Sequence, residues 1–142
     1  MPEVKALADY LSVCAFVPPD KLVDLASAFR TIINNRPDGE EPGQPTSAEI
    51  EAEARKLGLD YIHLPVVSGK ITDDQVRKFS EVIAHHEGPI LAFCRTGTRS
   101  ATLWALSQSA KRTPDEILKT AAGAGYDLSS LAERLGEKAP TA

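Results

Sequence analysis

At 142 residues, 42% apolar and 25% charged, the chain is long enough to bury one core of its own and has the make-up of an ordinary globular domain. A net charge of −4 argues against nucleic acid or an anionic membrane as the main partner, so any affinity for an anion has to be local. No run approaches the roughly 18 apolar residues of a membrane span. Met1-Pro2-Glu3-Val4-Lys5 lacks the pattern of a secretion signal, and the two cysteines, Cys14 and Cys94, do not make a disulfide framework. A cytoplasmic protein is expected.

Taken in chain order, apolar runs alternate with capped helical segments, which predicts a mostly parallel α/β domain over residues 1–135 and a flexible tail over 136–142. Leu11 to Val17 reads as the first strand. Pro18-Pro19-Asp20 opens a helix with Leu22, Leu25, Ala26 and Phe29 on one face. Thr31-Ile32-Ile33 is a second strand, followed by a polar, turn-rich loop from Asn34 to Pro45. Thr46-x-x-Glu49 starts a helix that Gly58 stops, and Tyr61 to Leu64 is a third strand ended by Pro65. Thr72-x-x-Gln75 starts the next helix, which runs to about His86. Ile90 to Phe93, apolar at each position, has the pattern of a central strand buried on both faces. A helix follows from Ser100 to Ala110, another begins at Thr113-Pro114-Asp115-Glu116, and Leu128 to Leu135 forms a last short one.

The stretch Cys94-Arg95-Thr96-Gly97-Thr98-Arg99-Ser100 lies between that central strand and the helix after it. In an open parallel sheet this is where ligands bind, beyond the carboxyl ends of the strands. A tight glycine-containing loop turns backbone N–H groups inward, the helix N-terminus adds partial positive charge, and Arg99 closes the ring. The same field favours the thiolate, the nucleophilic form of Cys94. Arg95, Thr96, Gly97, Thr98 and Ser100 are the expected anion-binding residues, with Ser100 as the N-cap of the helix.

With Ile33-Asn34-Asn35-Arg36-Pro37-Asp38-Gly39-Glu40, Gln44-Pro45, His63-Leu64-Pro65-Val66 and Phe93 through Trp104, the chain resembles the phosphatase-like domain of the bacterial beta-lactamase hydrolase-like family. The resemblance implies a fold like that of the dual-specificity phosphatases, a parallel sheet flanked by helices with the cysteine loop at the C-terminal end of the central strand. In some members this domain is fused to a persulfide-handling metallo-hydrolase-fold domain, which makes such a protein a candidate partner. This sequence has no His-x-His-x-Asp-His motif and reads as the stand-alone domain or an excised part.

Two chemistries use similar loops. Tyrosine phosphatases carry His-Cys, five residues, then Arg and Ser or Thr; this chain has Phe93 before the cysteine and only four residues before Arg99. That spacing is similar to rhodanese-type sulfurtransferases, where a persulfide places one sulfur on the cysteine and a smaller ring of N–H groups suffices. Pro65-Val66-Val67-Ser68-Gly69-Lys70, after the third strand, holds no carboxylate to protonate a leaving alkoxide. Asp73 and Asp74 fall in a first helical turn, where acidic residues complement the dipole, and Asp38 sits in a good turn sequence. The expectation is therefore a sulfurtransferase. It would take sulfane sulfur from thiosulfate or a low-molecular-weight persulfide through a Cys94 persulfide to a thiol acceptor, with no cofactor. A phosphatase with a phosphocysteine intermediate, its acid drawn from Asp38, Asp73 or Asp74, is the alternative. A non-enzymatic redox or anion-sensing module is the third reading.

Cys14 lies in Val13-Cys14-Ala15-Phe16 and reads as core packing, with a role resolving an oxidised Cys94 as the other possibility. His63, His85 and His86 do not make a metal site. Arg95 either selects an anionic substrate or solvates the rim. Arg36 either supports the pocket or pins its loop by pairing with Glu40 or Glu41.

Overall fold

In the computed structural model, which describes residues 3–137, five short strands form one sheet. They are β1 (Lys5–Ala8), β2 (Leu11–Cys14), β3 (Thr31–Asn34), β4 (Asp60–His63) and β5 (Ile90–Phe93). Their spatial order is β1-β2-β5-β3-β4, so β5 is the middle strand. β2, β5, β3 and β4 run parallel, in a register that sets both Val13 and Ile33 beside Ala92, and β1 joins the edge antiparallel to β2. Among the described residues the α-helices are α1 (Ser47–Lys56), α2 (Asp73–His85), α3 (Thr98–Ser107), α4 (Pro114–Gly123) and α5 (Ala132–Glu137).

The sheet is covered on both faces, and its side chains alternate between two cores. Leu11, Val13, Ile33, Ile90 and Ala92 pack with Phe79, Leu103, Trp104, Ile117 and Leu135 of α2 to α5. Cys14, Ile32, Leu91 and Phe93 pack with Leu22 and with Ile50 and Ala54 of α1 on the other face. This period-two division is why Ile90 to Phe93 carries no polar residue. Trp104, Phe79 and Phe93 are the largest fully buried side chains among the described residues; truncating any of them to alanine costs about 3–5 kcal/mol.

Helix starts follow their caps. The Thr72 hydroxyl accepts from Gln75 N at 3.2 Å while Gln75 returns an acceptor to Thr72 N at 3.0 Å, and Thr113 and Glu116 repeat the exchange ahead of Pro114. At α1 the Thr46 hydroxyl accepts from Glu49 N at 3.2 Å.

Five elements differ from the expectation, one of them α3, which was expected from Ser100 to Ala110 and runs from Thr98 to Ser107. β1 carries a single buried residue, Leu7, so it has no apolar pattern to read. β2 ends at Cys14 rather than Val17, because Phe16 N donates to Arg95 O and the chain follows the cysteine loop instead of the sheet. The segment after the two prolines is a 3-10 helix, Pro19–Asp24, with i to i+3 bonds such as Leu25 N to Leu22 O, although Leu22, Leu25 and Phe29 are buried as expected. The described residues end in a 3-10 turn, Ser129–Leu131, running into α5, which includes Gly136 and Glu137. The remainder of the tail expected over 136–142 lies outside the described residues.

Candidate active site

Cys94 follows the last residue of the middle strand, and α3 begins four residues later, at Thr98. Gly97 makes that short connection. Its φ of 95° lies in the left-handed region, and its N–H donates to Cys94 Sγ at 3.1 Å. A Cβ on Gly97 would stand 2.2 Å from the Tyr126 hydroxyl and 3.1 Å from Cys14 O. The loop is thus pressed between its own sulfur and the tyrosine behind it. Gly97, not Ser100, is the N-cap of α3. Ser100 lies one turn in, fully buried, and its hydroxyl donates to Asn35 Oδ1 at 2.8 Å.

Asn35 ties together the loops that leave three parallel strands. Its N–H donates to Phe93 O, its amide Nδ2 donates to Leu64 O at 2.9 Å, its carbonyl accepts from Val66 N, and its side-chain oxygen takes the Ser100 hydroxyl. Those bonds hold the segments after β3, β4 and β5 together around the cysteine.

Arg99 is buried, and its guanidinium is fixed from one side. Nη1 donates to Glu40 Oε2 at 2.7 Å and to Val66 O at 2.9 Å, and Nη2 donates to Glu40 Oε1 at 2.9 Å. These bonds use both hydrogens of Nη1 and one of Nη2, so the Nε–Nη2 edge is the part of the fork turned away from Glu40. The Glu40 hydrogen bond pushes the Arg99 guanidinium up from its ordinary value, and the adjoining Cys94 sulfur adds to the effect. The pair is reciprocal: the Arg99 hydrogen bond, aided by Arg36, holds the Glu40 carboxyl down from an ordinary 4.5 to about 2. Glu40 was legible in the sequence only as a partner for Arg36; its bidentate grip on Arg99 was not.

Arg36 is the second buried arginine. Its Nε donates to Glu40 Oε1 at 2.9 Å, its guanidinium lies 4.9 Å from the centre of the Phe16 ring, and its backbone carbonyl contacts His63 Nε2 at 2.9 Å. Arg36 therefore pins the loop through both acidic residues, Glu40 directly and Glu41 by an ion pair at 3.2 Å. Arg95, Thr96 and Thr98 occupy the exposed rim, where Arg95 Nε meets Glu41 Oε1 at 2.8 Å and the Thr96 hydroxyl meets that of Thr98 at 3.1 Å.

The candidate acids are engaged elsewhere. Asp38 is turned toward the start of α1, where its carboxylate accepts from Ser47 N at 2.7 Å. That bond runs from the Pro37-Asp38-Gly39 turn to the first residue of α1 and occupies one oxygen of the carboxylate expected as a candidate acid. Asp73 accepts from Arg134 at 3.1 Å, and Asp74 pairs with Arg77. A cleft of about 290 Å³ opens beside Arg99, lined by Ser68, Thr98, Thr102, Asp127 and Arg134. Asp127, which sequence reasoning did not single out, is held below the usual carboxylate range by hydrogen bonds from Ser129.

Cys14 is as buried as Cys94 but lies in the α1-side core. Burial, with the Cys94 charge adding, pushes its thiol up to about 12. His85 and His86 contact the carbonyls of Glu81 and Val82 at the end of α2. Among the described residues, no group of three or more His, Cys, Asp or Glu is placed to hold a metal, and no helix is long and apolar enough to cross a membrane.

Comparison with known proteins agrees with this architecture. A Neisseria meningitidis structure described as a candidate phosphatase superimposes with a TM-score of 0.86 at 34% identity, covering 94% of this chain and 96% of that one. The catalytic core of a PP-IP phosphatase from S. cerevisiae shares the fold, with a TM-score of 0.73 at 16% identity over 97% and 86% of the two chains. The beta-lactamase hydrolase-like protein of Xylella fastidiosa is 39% identical over 112 residues, 77% of this chain and 26% of that protein. Its counterpart in Agrobacterium fabrum is 44% identical over 84 residues, 59% of this chain and 20% of that protein. The chain thus spans about a quarter of the length of the curated relatives it matches. Sulfur transfer, expected from loop length and the missing acid, finds no support among these relatives, and the phosphatase alternative fits them better. Residues 3–111 match the model of the phosphatase-like domain of beta-lactamase hydrolase-like proteins, and the chain belongs to that family.

Proposed function

We propose that the protein is a cysteine-dependent phosphatase acting on small phosphate compounds through a phosphocysteine intermediate. The observation that carries this reading is the Arg99 fork. One edge is locked by Glu40 and Val66 O, while the other is left to receive two oxygens of an anion above Cys94. In the first step the Cys94 thiolate attacks phosphorus, an S–P bond forms, and the P–O bond to the leaving group breaks with its electron pair on oxygen. In the second, water attacks the phosphocysteine, inorganic phosphate leaves, the thiolate is restored and the proton of water passes to solvent. The loop N–H groups and Arg99 stabilise the charge on the transferring oxygens in both steps.

Asp38, Asp73 and Asp74 are committed to a helix start and to surface pairs, and Glu40 is held ionised. The leaving group therefore departs without a proton from these carboxyls. This favours substrates whose leaving group is already a stable anion, such as an aryl oxide, over simple alkyl phosphates. The test is steady-state turnover of an aryl phosphate and a matched alkyl phosphate, with vanadate as competitor. The expected result is aryl turnover that vanadate suppresses and a much slower alkyl reaction. Equal rates with an acid-limited pH profile would overturn the reading of the leaving group, and no turnover of either would overturn the phosphatase.

The four-residue spacing from Cys94 to Arg99 favours sulfur transfer as a second reading. A sulfur donor such as thiosulfate expels sulfite, itself a stable anion, and leaves one sulfur on Cys94 for a thiol acceptor or a persulfide-handling partner.

A further inference from the structure

Beside the Arg99 fork lies a pair of guanidiniums, and a carboxylate oxygen sits between them. Glu41 Oε1 is 2.8 Å from Arg95 Nε and 3.2 Å from Arg36 Nη2. The two contacts are unlike. Arg36 Nη2 is buried, on a side chain only 5% exposed, and it makes an ion pair with Glu41 without a hydrogen bond. A buried guanidinium nitrogen without a hydrogen bond is costly, and the segment that carries it is firmly fastened. Arg36 N donates to Asn34 Oδ1 at 2.9 Å, Nε is fixed on Glu40, and Phe16 lies against the guanidinium. Glu41 and Arg95 are the loose members of the group, with side chains 47% and 64% exposed.

We infer that Arg36 and Arg95 form a second anion subsite which Glu41 occupies in the empty protein, and that the substrate bears a second phosphate-type group close to the one that Cys94 attacks. This rests on the reading of Cys94 and Arg99 as an oxyanion site. The two subsites adjoin, because Glu40 Oε1 lies 2.9 Å from both Arg99 Nη2 and Arg36 Nε. A tetrahedral oxyanion in place of the Glu41 carboxylate offers more oxygens than one shared carboxylate atom and can reach the Arg36 nitrogen that Glu41 leaves without a hydrogen bond. Glu41 swings to solvent as the anion enters, and its charge is replaced by that of the ligand. Glu40, held by both buried arginines, stays in place. Monoanionic or singly phosphorylated compounds leave Glu41 docked and use only the Arg99 fork.

The test is calorimetric titration of the full chain carrying Cys94→Ser, which removes chemistry, with inorganic pyrophosphate and with orthophosphate. Pyrophosphate is expected to bind roughly tenfold more tightly, the scale of one or two charge-assisted hydrogen bonds. Adding Glu41→Ala should widen that ratio several-fold, and adding Arg95→Ala should close it. A ratio near one, or a ratio that neither substitution moves, would overturn the subsite. Both substitutions are at exposed positions, so loss of folding does not confuse the result. The two readings fail separately. Absence of aryl-phosphate turnover in the unmodified protein, with the ratio intact, would sink the phosphatase and leave the subsite standing. Turnover with an unmoved ratio would do the reverse.

Discussion

Cys14 and Cys94 stand at the ends of neighbouring parallel strands, are equally buried, and face different fates. β2 ends in an apolar core, and the chain continues as Ala15-Phe16-Val17 and two prolines. β5 ends in a loop whose glycine N–H meets the sulfur and whose arginine is held by a glutamate from another strand's loop. Burial, with the Cys94 charge adding, pushes the Cys14 thiol up and disfavours its thiolate. Cys94 is buried too, but it has the Gly97 N–H on its sulfur and the Arg99 guanidinium beside it, the surroundings that the proposed nucleophile needs. The segment after the strand, not the strand, separates the two.

The widest gap between the two cysteines appears on substitution. Cys94→Ser should lower aryl-phosphate turnover by at least ~10³-fold while the melting temperature barely moves, because a hydroxyl is a far poorer nucleophile of similar size. Arg99→Ala should cost about 10²–10³-fold in kcat/KM, and Arg99→Lys should fall between it and the unmodified protein, since lysine keeps the charge and loses the fork. Lysine equal to arginine in the kinetic comparison would show that fork geometry is irrelevant.

Gly97→Ala attacks the loop itself. Its φ of 95° and the Tyr126 hydroxyl 2.2 Å from the new Cβ should lower stability by about 1–3 kcal/mol in denaturant unfolding. Turnover should fall with it, because the loop must shift off the sulfur. Glu40→Gln keeps the shape but removes the charge that fixes Arg99. It should lower kcat/KM by roughly tenfold and change acid stability in a defined direction. Because the folded carboxyl titrates at about 2 rather than 4.5, its contribution is complete above 4.5 and is lost as pH falls toward 2. The glutamine variant should lack that part of the acid slope; an unchanged slope would remove Glu40 from the ion-pair network.

The smallest effect on turnover belongs to Cys14→Ser. It should leave kcat within about twofold while costing roughly 1–3 kcal/mol for a hydroxyl placed in an apolar core. A large loss of activity at unchanged stability would promote Cys14 to a resolving thiol and erase the contrast.

What could be read from the sequence was local. β5, the capped starts of α2 and α4, and the cysteine loop each announce themselves within ten residues or so of chain. Ser100 misled because a serine between a strand and a helix resembles a cap, whereas here glycine takes that place without a side-chain bond. β1 was missed because an edge strand with one buried residue needs no pattern. The bonds that define the site were out of reach for a different reason. Glu40 to Arg99, Asn35 to Ser100 and Gly97 against Tyr126 join distant segments, and only the order β2-β5-β3-β4 brings those loops to one end of the sheet.

The central claim is that Cys94 accepts a phosphoryl group. Intact-mass measurement after rapid acid quenching, on one sample mixed with an aryl phosphate and one with thiosulfate, tests it most directly. The account predicts a phosphoryl adduct in the first sample that maps to Cys94 and is absent from Cys94→Ser. One added sulfur in the second sample, with no adduct and no turnover in the first, would contradict it and make the protein a sulfurtransferase.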